Sequence, residues 1–222
     1  MLFAFTNSKG GVGKSTLAVH STIWLAEKGK SVALVDADVQ GSSSTWLKEV
    51  SGETPLFRLA TPDDVLEQVP KIEAEFEHVV IDGPAGLSEV TRAILLLADS
   101  TFLPCTPSAL DLRAVDEAIR VVRQVQKIRN GPPKAVLIPN RLQVQYRLSK
   151  ELLETAKSLG IPTSSGLRLR QVYADAVGQG TVVWRMGPRG TDAALEIQQL
   201  FMEILKDAFI SETITERRVE NG

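Results

Sequence analysis

The chain has 222 residues, 43% of them hydrophobic, with 25 Lys+Arg against 27 Asp+Glu and a net charge of −2, the balance of one ordinary soluble domain near the upper size for a single core. One cysteine, Cys105, excludes an internal disulfide and a paired-cysteine metal or cluster site, and fits a reducing compartment. The longest apolar stretch, Ala93 to Ala98, falls far short of the roughly 18 residues a membrane span needs, and no charged-then-apolar leader opens the chain.

Short apolar runs alternate with longer segments of helical period. The predicted strands are Leu2–Thr6, Ser31–Asp36, Leu56–Leu59, His78–Asp82, Thr101–Pro104, Ala135–Pro139 and Thr163–Gly166. Between them come helices at Lys14–Lys28, Ser88–Ala98, Leu112–Arg129 and Ser149–Leu159, then a long last one from about Asp192 to Phe209. This alternation is the signature of βαβ units. Most strands are near-continuous Val/Ile/Leu/Phe runs, as expected when helices cover both sheet faces. The expected fold is a three-layer α/β sandwich around a mostly parallel twisted sheet. No repeat or low-complexity segment divides the chain, and Gly131-Pro132-Pro133 reads as a turn between helix and strand. One domain is expected over residues 1–222, with a flexible tail from about 211. The first strand starts at Leu2, so no N-terminal helix-turn-helix domain is expected.

The first strand runs straight into Thr6-Asn7-Ser8-Lys9-Gly10-Gly11-Val12-Gly13-Lys14-Ser15-Thr16 and then a helix. Aligned on Gly13-Lys14-Ser15, it matches GxxxxGK[ST] except that Ser8 stands at the first glycine. Gly10 and Gly11 supply the turn instead. Such a loop turns successive N–H groups toward a polyphosphate, and the helix N-terminus adds positive charge. Lys14 would neutralise the outer phosphates, and the Ser15 hydroxyl would hold Mg²⁺.

Lys9-Gly10-Gly11-Val12-Gly13-Lys14-Ser15-Thr16 resembles the deviant Walker A motif of the ParA/MinD ATPases. Asp36-Ala37-Asp38-Val39-Gln40-Gly41 resembles that family's second element, with Val39 in place of a proline. Val79-Val80-Ile81-Asp82-Gly83-Pro84 resembles its third, and Pro104 to Asp111 the segment after the next strand. The likeness covers about residues 2–125 and is diffuse beyond Arg141. It implies a P-loop NTPase that binds ATP and Mg²⁺ and forms a nucleotide-sandwich homodimer with weak basal hydrolysis.

Asp36 and Asp38 end a strand and project to one side, where two carboxylates bind metal through water or orient the attacking water. Asp36 reads equally well as a helix cap. The resemblance gives Asp38 the water. Asp82 ends an apolar strand as a Walker B acid does, and would hold Mg²⁺ through water together with Ser15 and Asp38. By the same resemblance, Lys9 crosses to the partner's phosphates and acts with Lys14 and Asp38 in hydrolysis. Asn140, at the end of Val136-Leu137-Ile138-Pro139-Asn140, resembles the family's adenine contact; a turn-forming asparagine fits equally.

The summed charge speaks against a nucleic-acid binder, but its distribution reverses that. Residues 1–140 carry −3, residues 141–190 carry +5 and residues 191–222 carry −4. The positive segment holds Arg141, Arg147, Lys150, Lys157, Arg168, Arg170, Arg185 and Arg189. Arg113, Arg120, Arg123 and Lys127 share one helical face. Arginine-rich surfaces without base-reading motifs bind phosphate backbones irrespective of sequence. With the resemblance, Arg141, Arg147, Arg168, Arg170, Arg185 and Arg189 become candidate contacts to non-specific double-stranded DNA. A solvated face balancing the acidic tail is the plain alternative.

The expected activity is thus that of a ParA-type partition ATPase, cytoplasmic and nucleoid-associated, stimulated by a ParB-like centromere-binding or adaptor protein, and segregating plasmid or chromosomal DNA. Two readings stand beside it: a ParA-like positioner of protein cargo such as chemoreceptor clusters or microcompartments, and a MinD-like membrane-cycling regulator. The last needs a basic amphipathic tail. Residues 211–222 carry mixed charge and little apolar content, so no membrane partner is expected. His20 and His78 lack partners at metal-ligand spacing, and Leu195, Leu200, Phe201, Ile204, Leu205 and Phe209 form an apolar stripe expected to dock on the sheet.

Overall fold

The computed structural model describes residues 1–143 and 145–209. Six strands form one parallel sheet: β1 (Leu2–Asn7), β2 (Val32–Asp36), β3 (Leu56–Arg58), β4 (His78–Ala85), β5 (Ser100–Cys105) and β6 (Lys134–Pro139). Their order is β3-β2-β4-β1-β5-β6. Helices α1 (Lys14–Glu27), α2 (Ser42–Val50), α3 (Pro62–Glu75), α4 (Glu89–Leu97), α5 (Ala109–Arg129), α6 (Arg147–Ser158), α7 (Val172–Gly178) and α8 (Thr191–Ile204) make the crossovers and the C-terminal third.

The period of two along each strand sorts the core into two layers. Phe3, Phe5, Leu34, Val80 and Phe102 point to the side covered by α1, α2 and α8. Their neighbours Leu2, Ala4, Ala33, Val35, Val79 and Ile81 point to the side covered by α3 and α4. Leu103 and Leu137 meet α5 and α6. Both faces of the sheet are dry, which is why its strands lack polar alternation. The three-layer parallel sandwich expected from the sequence is the fold.

Several elements differ from expectation. Thr163–Gly166 is not a continuous strand: it meets β6 through an isolated parallel bridge from Leu137 to Thr163, followed by Leu167 N–H on the Pro139 carbonyl at 2.8 Å and a second parallel bridge from Leu142 to Arg168. Gly166 turns left-handed at φ 75°, where a Cβ would meet the Pro139 carbonyl at 2.5 Å, so the segment follows the β6 edge in parallel but its ladder is interrupted between the two bridges. The last helix stops at Ile204. Leu200, Phe201, Ile204 and Leu205 are buried as expected, but Leu195 is 64% exposed. Three helices were not anticipated: α2 and α3, which bracket β3, and α7. For α3 the local signals were present: Thr61 caps Asp64 N–H, with Pro62 and two aspartates in the first turn. The expected tail at 211–222 lies outside the described residues. Among the described residues no helix is long and apolar enough to cross a membrane.

Candidate functional site

The strand order reverses beside β1, so a crevice opens at the carboxyl ends of β1, β2 and β4, the usual ligand position in such sheets. The register places Phe5 and Asp36 each opposite Asp82, and so brings the phosphate loop, Asp36 and Asp82 to one edge. The phosphate loop, Asp36 and Asp82 therefore lie at this rim.

The loop is braced from behind. Asn7, fully buried, donates from Nδ2 to the Pro104 carbonyl at 2.6 Å and accepts Lys9 N–H at 3.2 Å. Ser8 donates from Oγ to the Ala114 carbonyl of α5 at 2.8 Å. Gly13 adopts φ 103°, and a Cβ there would lie 2.3 Å from Asn140 Nδ2, so glycine is required twice over. Asn140 spends its amide on this loop, donating to the Val12 carbonyl at 2.7 Å while its Oδ1 accepts Arg141 N–H at 2.9 Å. It also lines a cleft of about 660 Å³ with Gly13, Thr16, Leu167, Gln171 and Tyr173. Asn140 is therefore both a brace and a wall of the space next to the loop.

Lys14 is 6% exposed, and its Nζ donates to the Lys9 carbonyl at 3.0 Å. Burial pulls this ammonium below its usual range, with the charges of Asp82 and Asp38 acting against that. Asp82 is fully buried, and neither carboxylate oxygen has a hydrogen-bond partner of good geometry among the described residues. Burial pushes it up to about 7; nearby Ser15 and Ser43 hydroxyls pull the other way, Asp36 adds to the rise, and Lys14 opposes it. A buried carboxylate without partners is costly unless a cation completes it. The site therefore fits a hydrated divalent metal: Asp82 would hold it, with the Ser15 hydroxyl and Asp38 at hand, and it would neutralise phosphate charge next to Lys14.

The two aspartates after β2 separate in role. Asp36 takes Asp38 N–H at 3.1 Å on Oδ1 and Ser44 N–H at 2.8 Å on Oδ2, so it caps the first turn of α2 from outside the helix. Asp38 is half-buried and among the described residues accepts only Gln40 N–H, at 3.0 Å, which leaves carboxylate lone pairs at the rim.

Lys9 does not reach outward. Its Nζ lies 2.6 Å from Asp111 Oδ1 in the first turn of α5. Burial alone would raise the Asp111 carboxyl; hydrogen bonds from Lys9 and Thr106, the Lys9 charge and Ser108 outweigh it and hold the group below its usual range. Asp111 and Asn7 escaped the sequence reading because their partners lie about a hundred residues away.

The six candidate DNA arginines divide in the structure. Arg170 is forked onto Glu196 of α8, from Nη2 at 2.7 Å and Nε at 3.2 Å, with Nη1 on Asp192 at 3.1 Å. Arg185 grips Glu27 at 2.6 Å and Arg147 pairs with Glu151 at 2.5 Å. Arg168 lies 3.5 Å from Glu196 and is otherwise open. Arg141 and Arg189 are exposed and meet no acid among the described residues. Three of the six thus have an acid within 2.7 Å, Arg147 in an exposed pair and Arg170 in a half-buried one. In the second stripe, Arg120 pairs with Asp116 and Arg123 donates to the Leu159 carbonyl.

His20 and His78 are both buried, and burial first of all lowers each to about 4. His20 bridges the Thr16 carbonyl at 2.7 Å and Val183 N–H at 3.2 Å inside a box of Trp46, Tyr173 and Trp184. It ties the phosphate-loop helix to the C-terminal third. Among the described residues no group of three or more His, Cys, Asp and Glu side chains is placed to hold a metal ion.

The model of the CobQ/CobB/MinD/ParA nucleotide binding domain matches residues 3–183. Maintenance of carboxysome distribution protein A of Halothiobacillus neapolitanus is 31% identical over 208 residues, 91% of this chain and 95% of that protein. The protein of the same name from Gloeobacter kilaueensis is 33% identical over 214 residues, 92% and 94% of the two chains. Among solved structures, apo McdA of Cyanothece superposes with a TM-score of 0.77 at 16% identity, covering 93% of this chain and 98% of that one.

Proposed function

We propose that this chain, which belongs to the CobQ/CobB/MinD/ParA nucleotide-binding family, is a ParA-type ATPase that positions a protein-built cargo such as a bacterial microcompartment. The observation that carries the cargo is the likeness at 31% and 33% identity, over more than nine-tenths of each chain, to two proteins named for carboxysome distribution. This favours the cargo-positioning alternative over the DNA-partition reading.

In this reading the phosphate loop, Lys14 and Ser15 bind ATP, with Mg²⁺ at Asp82. The cation neutralises charge on the phosphates when bound. Asp38, with free lone pairs at the rim, orients the attacking water. Two subunits face each other across the nucleotides, each Lys9 completing the other's site as an arginine finger does. The ATP dimer holds DNA non-specifically through its exposed arginines, which gives it the nucleoid as a track, and an adaptor protein on the cargo stimulates turnover. Support for the metal comes from the orphaned Asp82 oxygens.

The test is replacement of the wild-type gene by Lys14→Ala in the source cell. Clumping of shell-bounded cargo with plasmid retention unchanged is the expected result. Plasmid loss with evenly spaced cargo would return the DNA-partition reading.

A further inference from the structure

The turn that carries Asp38 is thinly supported. Its own bonds are short-range: Gly41 N–H donates to the Asp38 carbonyl at 3.0 Å, and Gln40 N–H to Asp38 Oδ1 at 3.0 Å. At the tip Val39 is 69% exposed, and Gln40 is exposed beside it. Among the described residues one hydrogen bond reaches residues 38–41 from another element. Arg58, the last residue of the edge strand β3, donates from Nη2 to the Val39 carbonyl at 3.1 Å. The period of two explains its direction: Leu56 packs on the α1 and α2 side and Phe57 on the α3 and α4 side, so Arg58 returns to the α2 side, level with Asp36 on the neighbouring strand. The guanidinium also lies against Gly41. A Cβ there would stand 2.9 Å from Nη2, 3.0 Å from Cζ and 3.4 Å from Nη1, and the turn closes through a φ of 66° that glycine adopts freely. Arg58 meets no acid among the described residues. Its charge is spent on this turn.

We propose that Arg58 is a positioning residue for Asp38, holding the turn 38–41 so that the carboxylate keeps its place at the rim. The inference rests on the reading of Asp38 as the group that orients the attacking water. A carboxylate with one amide partner, on a turn whose tip stands in solvent, shifts with its backbone. A displacement of about 1 Å at such a group is enough to cost a large factor in rate. The charge-assisted bond from Arg58 fixes the Val39 carbonyl, and the guanidinium against Gly41 bars the turn from folding back toward β3. Neither contact touches the phosphate loop. Arg58 therefore bears on turnover and leaves nucleotide binding alone.

The test uses the full chain and reads the turn and the reaction separately. Hydrogen–deuterium exchange without nucleotide, followed by mass spectrometry on peptides spanning the 38–41 turn, reports the turn itself. Arg58→Ala should speed exchange at Gln40 and Gly41 about five-fold. In the same variant kcat for MgATP should fall roughly ten-fold, with MgATP affinity by titration calorimetry unchanged. Arg58→Met keeps the length of the side chain without a donor and should behave as Arg58→Ala does; Arg58→Lys restores a donor and the charge and should return both readouts toward wild type. Unchanged exchange in Arg58→Ala overturns the proposal, as does an unchanged kcat or a loss of MgATP affinity that accounts for the slower turnover. Should Arg58→Ala not fold, Arg58→Met against Arg58→Lys carries the same comparison, and equal behaviour of the two overturns the proposal. Asp38→Ala separates the premise: wild-type turnover in that variant would remove the role of Asp38 and with it any effect of Arg58 on the reaction, whereas the exchange result reports the brace on its own.

Discussion

The phosphate-loop rim and the basic segment 141–190 treat charge in opposite ways. At the rim, Asp82 keeps two buried oxygens without hydrogen-bond partners among the described residues and Asp38 keeps lone pairs open. In the basic segment, Arg147, Arg170 and Arg185 are each closed onto acids of the same chain. By charge count the segment looks richer, at +5, than the loop with its two lysines. The difference teaches that a site is recognised by polar groups left incomplete, because leaving them so costs stability that a ligand recovers.

The sharpest way to break this contrast is Lys14→Ala. It should lower MgATP affinity by about a thousand-fold, since a buried charge-assisted contact to phosphate is lost; titration calorimetry that finds tight binding intact would remove the loop as the site. Asp82→Asn comes next and tests incompleteness itself. Its carboxyl is raised from 3.8 to about 7 by burial, so the folded form binds a proton that the unfolded form has released. Metal-free stability should therefore fall as pH rises from about 4 to about 7 and stay low above that. The asparagine variant removes the penalty and should gain about 2–4 kcal/mol at pH 8 in denaturant unfolding while losing its response to Mg²⁺. A variant less stable than wild type at pH 8 would mean that Asp82 is satisfied after all.

On the other side of the comparison, Arg170→Ala should cost about 2 kcal/mol by leaving Glu196 without its fork, and lower Tm by roughly 4–8 °C. It should leave the salt dependence of DNA affinity unchanged. Arg141→Ala and Arg168→Ala should do the reverse, each reducing the slope of log affinity against log salt by about 0.9 with little change in Tm. A slope that moves with Arg170 instead would overturn the division of the segment into internal and outward charges. A pH-dependent effect belongs to His20. His20 is lowered to about 4 by burial, so its contribution to stability is complete above its ordinary value of 6.5 and is lost as pH falls toward 4. Between those values His20→Gln should flatten the pH dependence of unfolding by up to about 1.4 kcal/mol per pH unit.

Much of this was legible locally. A strand of Leu2, Phe3, Ala4 and Phe5 running into three glycines and Lys14-Ser15 needs only chain neighbours to mark a phosphate loop, and the apolar run His78 to Asp82 needs only its own length to mark a buried strand with an acid at its tip. The register of β2 and β4 then follows, and with it the meeting of Asp36 and Asp82. Where a stop depended on another element, the reading missed. Thr163–Gly166 has the composition of a strand but its ladder is broken where Gly166 lies against the Pro139 carbonyl, and Leu195 fits the helical stripe but emerges past the edge of the core.

By itself the sequence determined the layered parallel fold, the loop and the identity of its lysines and acids, because those depend on periods of two and 3.6 and on spacings of a few residues. Only the tertiary structure decided which charges are spoken for. Lys9 meets Asp111, Asn140 meets Val12, and Arg170 meets Glu196 across 102, 128 and 26 residues of chain. Coulomb attraction and hydrogen bonding act through a few ångströms of space and take no account of that separation.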